Sequence, residues 1–331
     1  MTRRATTAER PRIHRIELPL PLQLARINIY LIEGPGGLAL VDTGMYTPAA
    51  RAALVEQLAA LGARPDRIGQ VFITHFHLDH FGQADWLQGT LGAELLMPRV
   101  DSEGLQRWFF EPDYDGRALD FFAGYGVPRA ALERSRAGLA SMRAAAPVFG
   151  ADRQVEDGEV IELAGVPFEV LVTPGHTPGH ACLHHAPTRT LLLGDHVLAQ
   201  ITPNVALSRG SLPDPLGAYR ASLARVRGRG YACGLPAHGA AFETSAALDA
   251  RIDAIVEHHA QREAQLLGLL DAPARPCSAY TLSEALFELD ALDGWETWMA
   301  VGETLAHLQT LVGAGKAVQV RCGDVTLFAL A

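Results

Sequence analysis

Lysine is nearly absent from this chain: Lys316 is the single one among 331 residues, and every other basic side chain apart from histidine is arginine. Against 37 acidic residues the 28 basic ones leave a net charge of −9. An acidic surface repels phosphate backbones, so the electrostatic footprint of a nucleic-acid binder is missing. Long apolar runs are missing too; no stretch reaches the roughly 18–20 residues a membrane span needs. Cysteine is sparse. Cys182, Cys233, Cys277 and Cys322 lie far apart with no CxxC spacing, which excludes a disulfide scaffold and fits a reducing cytoplasm. Met1 to Arg12 is polar and basic, without the apolar core of a secretory signal, and reads as a loose N-terminal arm.

What is present is a strand-and-helix alternation. Ile13–Leu18, Asn28–Glu33 and Leu38–Asp42 read as strands, the last two joined by the turn Gly34-Pro35-Gly36-Gly37. Thr47 as N-cap, Pro48 at the first helical position and apolar spacing over Ala49–Leu61 predict a helix that Gly62 ends. Gln70–Thr74 reads as a short buried strand. Strand patterns return at Val160–Leu163, Phe168–Thr173, Ala181–His184 and Thr190–Leu193. The order predicts an α/β protein with sheets covered by helices. Residues 101–150 interrupt it with a cluster of aromatics, Trp108, Phe109, Phe110, Tyr114, Phe121, Phe122 and Tyr125, among helical stretches.

The densest chemistry lies in Thr74-His75-Phe76-His77-Leu78-Asp79-His80, where four metal-ligating side chains fall within six residues at the end of an apolar strand. His75 and His77, two apart in an extended segment, face one side and can share one metal. Asp79 and His80 follow where the chain turns into the next helix and can face a second metal. Without a cation, four polar groups at a core edge would be costly to desolvate. Three further segments place a polar group where a strand reaches a loop: His176 in Thr173-Pro174-Gly175-His176, Asp195 after Leu191-Leu192-Leu193-Gly194, and His238 after Leu235-Pro236-Ala237. His180, His184, His185 and His196 are left without an assigned role; His180, four residues past His176, could line the pocket but reads as a structural or surface group, and the His258-His259 pair reads as solvated.

Over residues 13–245 these motifs resemble the metallo-β-lactamase superfamily, and Asp42-Thr43-Gly44 matches its early motif, whose Asp supports the site from behind the ligands. The resemblance implies an αββα sandwich. It implies that His75, His77 and His176 hold a first metal, that Asp79, His80 and His238 hold a second, and that Asp195 bridges the two. Lactamases of the best-known subclass differ, with Cys at the position of Asp195 and Arg at that of His80; flavo-diiron reductases have Glu at that of His77. The set here is that of glyoxalase II, quorum-signal lactonases and related thioesterases. Two divalent ions are expected, zinc by preference, though iron and manganese accept the same donors. The expected reaction is attack on a thioester or lactone carbonyl by a water the ions ionise, with Asp79 orienting it or passing its proton on. Two alternatives are a phosphodiesterase or ribonuclease using the same metals and a mononuclear iron persulfide dioxygenase.

From residue 246 the pattern changes to a long helix over Asp249–Leu270 closed by Pro273 and Pro276, helices over Tyr280–Leu289 and Met299–Val312, a turn at Gly313–Lys316, and two short strands about Gly323-Asp324. That order resembles a winged-helix module. From Arg251 onward there are 5 basic and 11 acidic residues, and the third helix carries Glu303 and no Arg or Lys. DNA contact is therefore not expected; packing, dimerisation or a wall beside the active-site entrance is. The partner expected is a small acyl substrate, with the aromatic insertion as a lid over it.

Overall fold

Residues 12–41 lay down three antiparallel strands: β1 (Arg12–Pro19), β2 (Arg26–Gly34) and β3 (Gly37–Val41). In the computed structural model, which describes residues 11–21, 24–144, 146–271, 276–289, 292 and 294–331, they form one side of a six-stranded sheet. Most of the expected N-terminal arm, residues 1–10, and the helix-closing Pro273 lie outside the described residues. β4 (Ile68–Phe72), β5 (Glu94–Pro98) and β6 (Arg153–Val155) continue the sheet in parallel from β3. A second sheet has the order β11-β10-β9-β8-β7, built from β7 (Val160–Leu163), β8 (Val166–Val172), β9 (Ala181–His185), β10 (Thr190–Gly194) and β11 (Cys233–Pro236).

Three layers of apolar contact hold the sandwich. Along β2 the pleat sends Ile27, Ile29 and Leu31 to one face and Tyr30 and Ile32 to the other. The first set packs with Leu54 and Leu58 of α1 (Pro48–Ala60). The second meets Phe168, Val170 and Leu183 of the opposite sheet. With both faces covered, β2 is buried almost end to end. Each fully buried Ile or Leu contributes roughly 1.5–3 kcal/mol. α1 starts as the sequence predicts: Thr47 Oγ1 accepts from Ala50 N at 3.1 Å and Pro48 sits at the first turn. At the sheet end away from the site, the Gly34–Gly37 turn lies on the β7–β8 turn, where Gly36 N donates to Ala164 O at 2.8 Å. A Cβ on Gly36 would come within 2.8 Å of the Ala164 carbonyl carbon, so only glycine permits that approach.

The 101–150 insertion is helical, as expected. After α2 (Leu78–Phe81) it supplies α3 (Arg99–Leu105), α4 (Tyr114–Ala123) and α5 (Arg129–Ala144). α6 (Pro215–Val226) covers the second sheet. The C-terminal part runs as α7 (Ser245–Leu270), β12 (Cys277–Ser278), α8 (Ala279–Leu286), α9 (Gly294–Gly313), β13 (Ala317–Cys322) and β14 (Val325–Leu330), with β14 central in a small three-stranded sheet. It does not stand apart. Val301, Leu305, Leu308 and Leu311 of α9 share a core with Leu191 and Leu193 of β10 and with Leu216, Tyr219 and Leu223 of α6. Among the described residues no helix is long and apolar enough to cross a membrane.

The structure corrects the reading of the His258-His259 pair as solvated. His259 is 1% exposed, because α9 lies against this side of α7. His307 Nδ1 donates to the Glu303 carbonyl at 2.8 Å, which leaves His307 Nε2 to accept from His259 Nδ1 at 3.1 Å. Burial lowers the pKa of His259 to about 3 and that of His307 to about 4. Below an ordinary imidazole pKa near 6.5 the unfolded chain binds protons that the folded one refuses, so stability present above that pH is lost as pH falls. The expected loss by pH 5 is on the order of 2 kcal/mol per ring. Thermal melts from pH 7.5 to 5 measure it. The double variant His259→Gln, His307→Gln should show a flatter pH slope than the parent, and an unchanged slope would refute the assignment.

Candidate metal centre

Every element of the site begins where a strand reaches its carboxyl end, the edge at which open α/β sheets place their ligands. Directly after β3 comes Asp42, whose φ of 61° lies in the left-handed region that aspartate tolerates. This turn aims the carboxylate across at the end of β4. Asp42 Oδ1 accepts from Thr74 N at 2.8 Å, and Oδ2 accepts from Thr74 Oγ1 at 2.9 Å and from His80 Nδ1 at 2.8 Å. The buried carboxylate thus sets both the entry of the 74–80 segment and the ring of His80. His75 and His77 lie in the loop after β4, not in a strand, and Asp79 and His80 sit on α2.

The second sheet brings the rest. His176 rides in the loop between β8 and β9. Its Nδ1 donates to the Asn204 carbonyl at 2.8 Å, which turns Nε2 toward the cluster. Asp101, wholly buried on α3, ties this loop to the first sheet: it accepts from Thr177 Oγ1, from Gly179 N, and from Phe76 N at 3.3 Å. Burial raises its pKa to about 7 in spite of these donors. Gly194, with φ 50°, turns β10 into Asp195. His180 holds that turn, accepting from Asp195 N on Nε2 at 3.0 Å while its Nδ1 meets Thr173 Oγ1 at 2.8 Å. His238 follows β11, and its Nδ1 donates to Arg26 O at 3.0 Å. Asn28 Nδ2 donates to Pro236 O at 3.0 Å and Gly239 O at 2.9 Å, and Tyr30 Oη to Pro236 O at 2.7 Å, so β2 clamps the His238 loop.

These anchors bring together all seven side chains singled out from the sequence. Three sets of donor atoms each lie within 4.8 Å of one another: His75, His77 and His176; His75, His80 and Asp195; and Asp79, His80 and His238. Asp195 Oδ2 lies 3.5 Å from both His80 Nε2 and His176 Nε2, and Asp195 Oδ1 lies 3.6 Å from His238 Nε2. Asp79 Oδ2 lies 3.3 Å from His238 Nε2. His184, on β9, meets Glu169, and His185 meets Thr188, so neither joins the cluster. His196 is buried with its ring against Tyr219.

The electrostatics divide the histidines. Burial and the neighbouring rings push His75 well below the usual imidazole range, and burial and His176 lower His77 to about 3. Burial works against charge on His80 and His238 as well, yet Asp42 and Asp79 raise His80 well above that range, and Asp195 and Asp79 raise His238 to about 9. The converse holds for Asp195: burial favours its neutral form, but His238 and His80 keep its carboxyl well below the carboxylate range. Carboxylates thus favour positive charge at His80 and His238, while burial opposes it at His75 and His77.

Three buried atoms here have no hydrogen-bond partner: His80 Nε2, His176 Nε2 and Asp195 Oδ1. An orphaned buried polar atom costs about 1–3 kcal/mol, and three at one point, with imidazole and carboxylate donors around them, fit divalent cations.

A cavity of about 920 Å³ opens onto the cluster, reaching His77, Asp79, His176, Asp195 and His238. Its walls are largely apolar, with Met45, Phe76, Trp108, Leu198, Ile201 and Trp298 among them. The aromatic insertion divides here. Trp108, Phe109 and Tyr114 line the cavity, whereas Phe122 packs on Trp298 at 4.3 Å between ring centroids and Tyr125 stacks on Phe328.

Residues 23–238 match the family model of the metallo-beta-lactamase superfamily. The chain belongs to this superfamily. Residues 266–329 match a second model, the metallo-beta-lactamase-like C-terminal domain, so the tail is a family feature. A metallo-beta-lactamase family protein from Thermus thermophilus superposes with a TM-score of 0.83 at 30% identity, covering 96% of this chain and 98% of that one. A beta-lactamase domain protein from Burkholderia ambifaria gives 0.82 at 28% identity over 99% and 96%. In sequence the chain is similar to the probable metallo-hydrolase YqjP of Bacillus subtilis, 28% identical over 89% of this chain and 91% of that protein. It is also similar to an atrochrysone carboxyl ACP thioesterase of Aspergillus fumigatus, 24% identical over 75% of this chain and 61% of that one.

Sequence reading missed Asp101, Asn28, Tyr30 and Asn204. Each is joined through a backbone group, its own or its partner's, to a residue more than twenty positions away, and no spacing rule marks such a partner. His180 carried a faint signal in standing four residues past His176.

Proposed function

We propose that this superfamily member is a binuclear metallohydrolase that cleaves a thioester or related carboxylic ester of a small apolar acyl group. The observation that carries this reading is the apolar cavity opening directly onto the donor cluster. The thioesterase name of one relative supports it. His75, His77 and His176 would hold one divalent ion, Asp79, His80 and His238 another, with Asp195 between them; zinc suits these donors best. Bound there, the ions supply Lewis acidity and lower the pKa of a water toward neutrality.

The protein's own groups do the rest. Back-side bonds to Asn204 O and Arg26 O, and the Asp42 bond to His80, fix which nitrogen each ring presents. Asp79 borders the cavity and is held ionised: burial opposes this, but His80 and His238 outweigh it. Its carboxylate can accept the attacking water's proton and deliver it to the leaving group. The apolar walls exclude bulk water and position the acyl chain beside the carboxylates. We read residues 246–331 as a winged-helix-like domain that walls this cavity, since Trp298 and Met299 line it, and not as a DNA reader.

Metal analysis joined to a panel of acyl-CoA, acyl-glutathione, lactone and bis-p-nitrophenyl phosphate substrates tests the proposal. Cleavage of the phosphodiester alone would sink it, as would one iron per chain with oxygen consumption. Trp108→Ala should raise KM for long acyl substrates about tenfold while sparing metal content, the loss expected for one large apolar contact. Phe121→Ala, outside the cavity lining, should leave chain-length preference alone; equal effects of the two would remove the wall role of Trp108.

A further inference from the structure

Beyond Asp195 the stretch between β10 and α6 contributes no donor to the cluster, yet it lines the cavity over the site. Its Leu198, Ile201, Asn204 and Ala206 line the cavity, and the Asn204 carbonyl takes the Nδ1 proton of His176. Two C-terminal helices hold it. From α7, Arg251 donates to Leu198 O and to Ile201 O, both at 2.7 Å. From α9, the Gly302 carbonyl accepts from Leu207 N at 2.9 Å, and the Asn204 side-chain amide lies 3.4 Å from a Glu303 carboxylate oxygen and 3.5 Å from Met299 O. The seam is tight: a Cβ at Gly302 would stand 2.8 Å from the Ala206 Cβ. Glycine in a helix interior weakens the helix by about 1 kcal/mol relative to alanine. Here it permits the loop to dock.

We infer that the C-terminal module is a positioning element of the metal centre, acting through Gly302 and the 198–207 loop on His176 and hence on the first metal position alone. His176 is one of three donors in the His75, His77, His176 set and belongs to neither of the others. A shift of the Asn204 carbonyl frees the His176 ring to turn or change tautomer, while His80 keeps its bond to Asp42 and His238 its bond to Arg26 O. The inference rests on the binuclear reading of the site and not on which acyl bond is cleaved.

The test is titration of the metal-free full-length protein with Zn(II) against a chromophoric chelator, together with the visible spectrum of the Co(II) form. Gly302→Ala should weaken one of two equivalents about 10–100-fold, the range for losing a group that orients a ligand, and leave the other within twofold. Ala206→Gly removes the opposing methyl, so the double variant Gly302→Ala, Ala206→Gly should recover the lost affinity and the parent Co(II) spectrum. A general loss of folding would lower both equivalents alike. Unchanged affinity in Gly302→Ala, equal weakening of both equivalents, or absence of rescue would each overturn the inference. If the parent protein itself takes up fewer than two metals, the binuclear reading fails first, and this one with it.

Discussion

Asp195→Ala should lose bound metal and hydrolytic activity together, with activity falling about a thousandfold or more. The expectation follows from the place of Asp195 in the cluster. Its two oxygens lie 3.5–3.6 Å from nitrogens of His80, His176 and His238, so among the described residues it is the carboxylate that faces rings from both proposed metal positions. Its removal also takes away the principal charge that raises the His238 pKa, leaving that ring to compete less well for any positive partner. A thousandfold loss corresponds to about 4 kcal/mol, within the several kcal/mol that metal-assisted charge stabilisation supplies. Metal analysis and initial rates on whichever ester substrate the panel identifies measure the two losses in one preparation. Circular dichroism guards against unfolding. A variant that keeps two metals and a tenth of the parent rate would show that Asp195 does not lie between the ions.

Asp42→Ala should be the most damaging change among side chains outside the seven proposed metal donors. Its carboxylate is 2% exposed and satisfies Thr74 N, Thr74 Oγ1 and His80 Nδ1 at 2.8–2.9 Å. Truncation strands those donors in the interior, at a cost on the order of 3–5 kcal/mol. Alanine at a φ of 61° adds roughly 1–2 kcal/mol of backbone strain. Affinity at the proposed second metal position, which depends on His80, should weaken about 10–100-fold. Asp42→Gly separates the two effects, since glycine accepts the backbone and still lacks the carboxylate. It should recover part of the thermal stability and none of the metal affinity. Parent-like metal affinity in Asp42→Gly would show that the carboxylate does not orient His80.

The two predictions differ in how legible their residues were. His75, His77, Asp79 and His80 announce themselves because four donors in six residues at a strand end have no economical apolar explanation. His176, Asp195 and His238 are each ambiguous alone, since a strand-end polar residue is usually a cap; they gained meaning in sequence only beside the cluster. The layered fold was likewise legible where turn and cap residues bound an apolar run, as along β2 and α1. It was illegible where a surface later covered the element. His259 reads as solvated in a polar stretch of helix, but α9 arrives from fifty residues away to bury it.

By itself the chain determined many of its strands and helices, though not β5, β6 or α6, together with the donor types and the family likeness, because hydrophobic period, turn residues and motif spacing are local quantities. Which nitrogen each histidine turns inward, how Asp101 and Asn28 tie loops together, and that Gly302 admits the loop behind His176 were decided only on folding. These depend on distances between backbone groups far apart in the chain, and close packing sets such distances after the sheets have met.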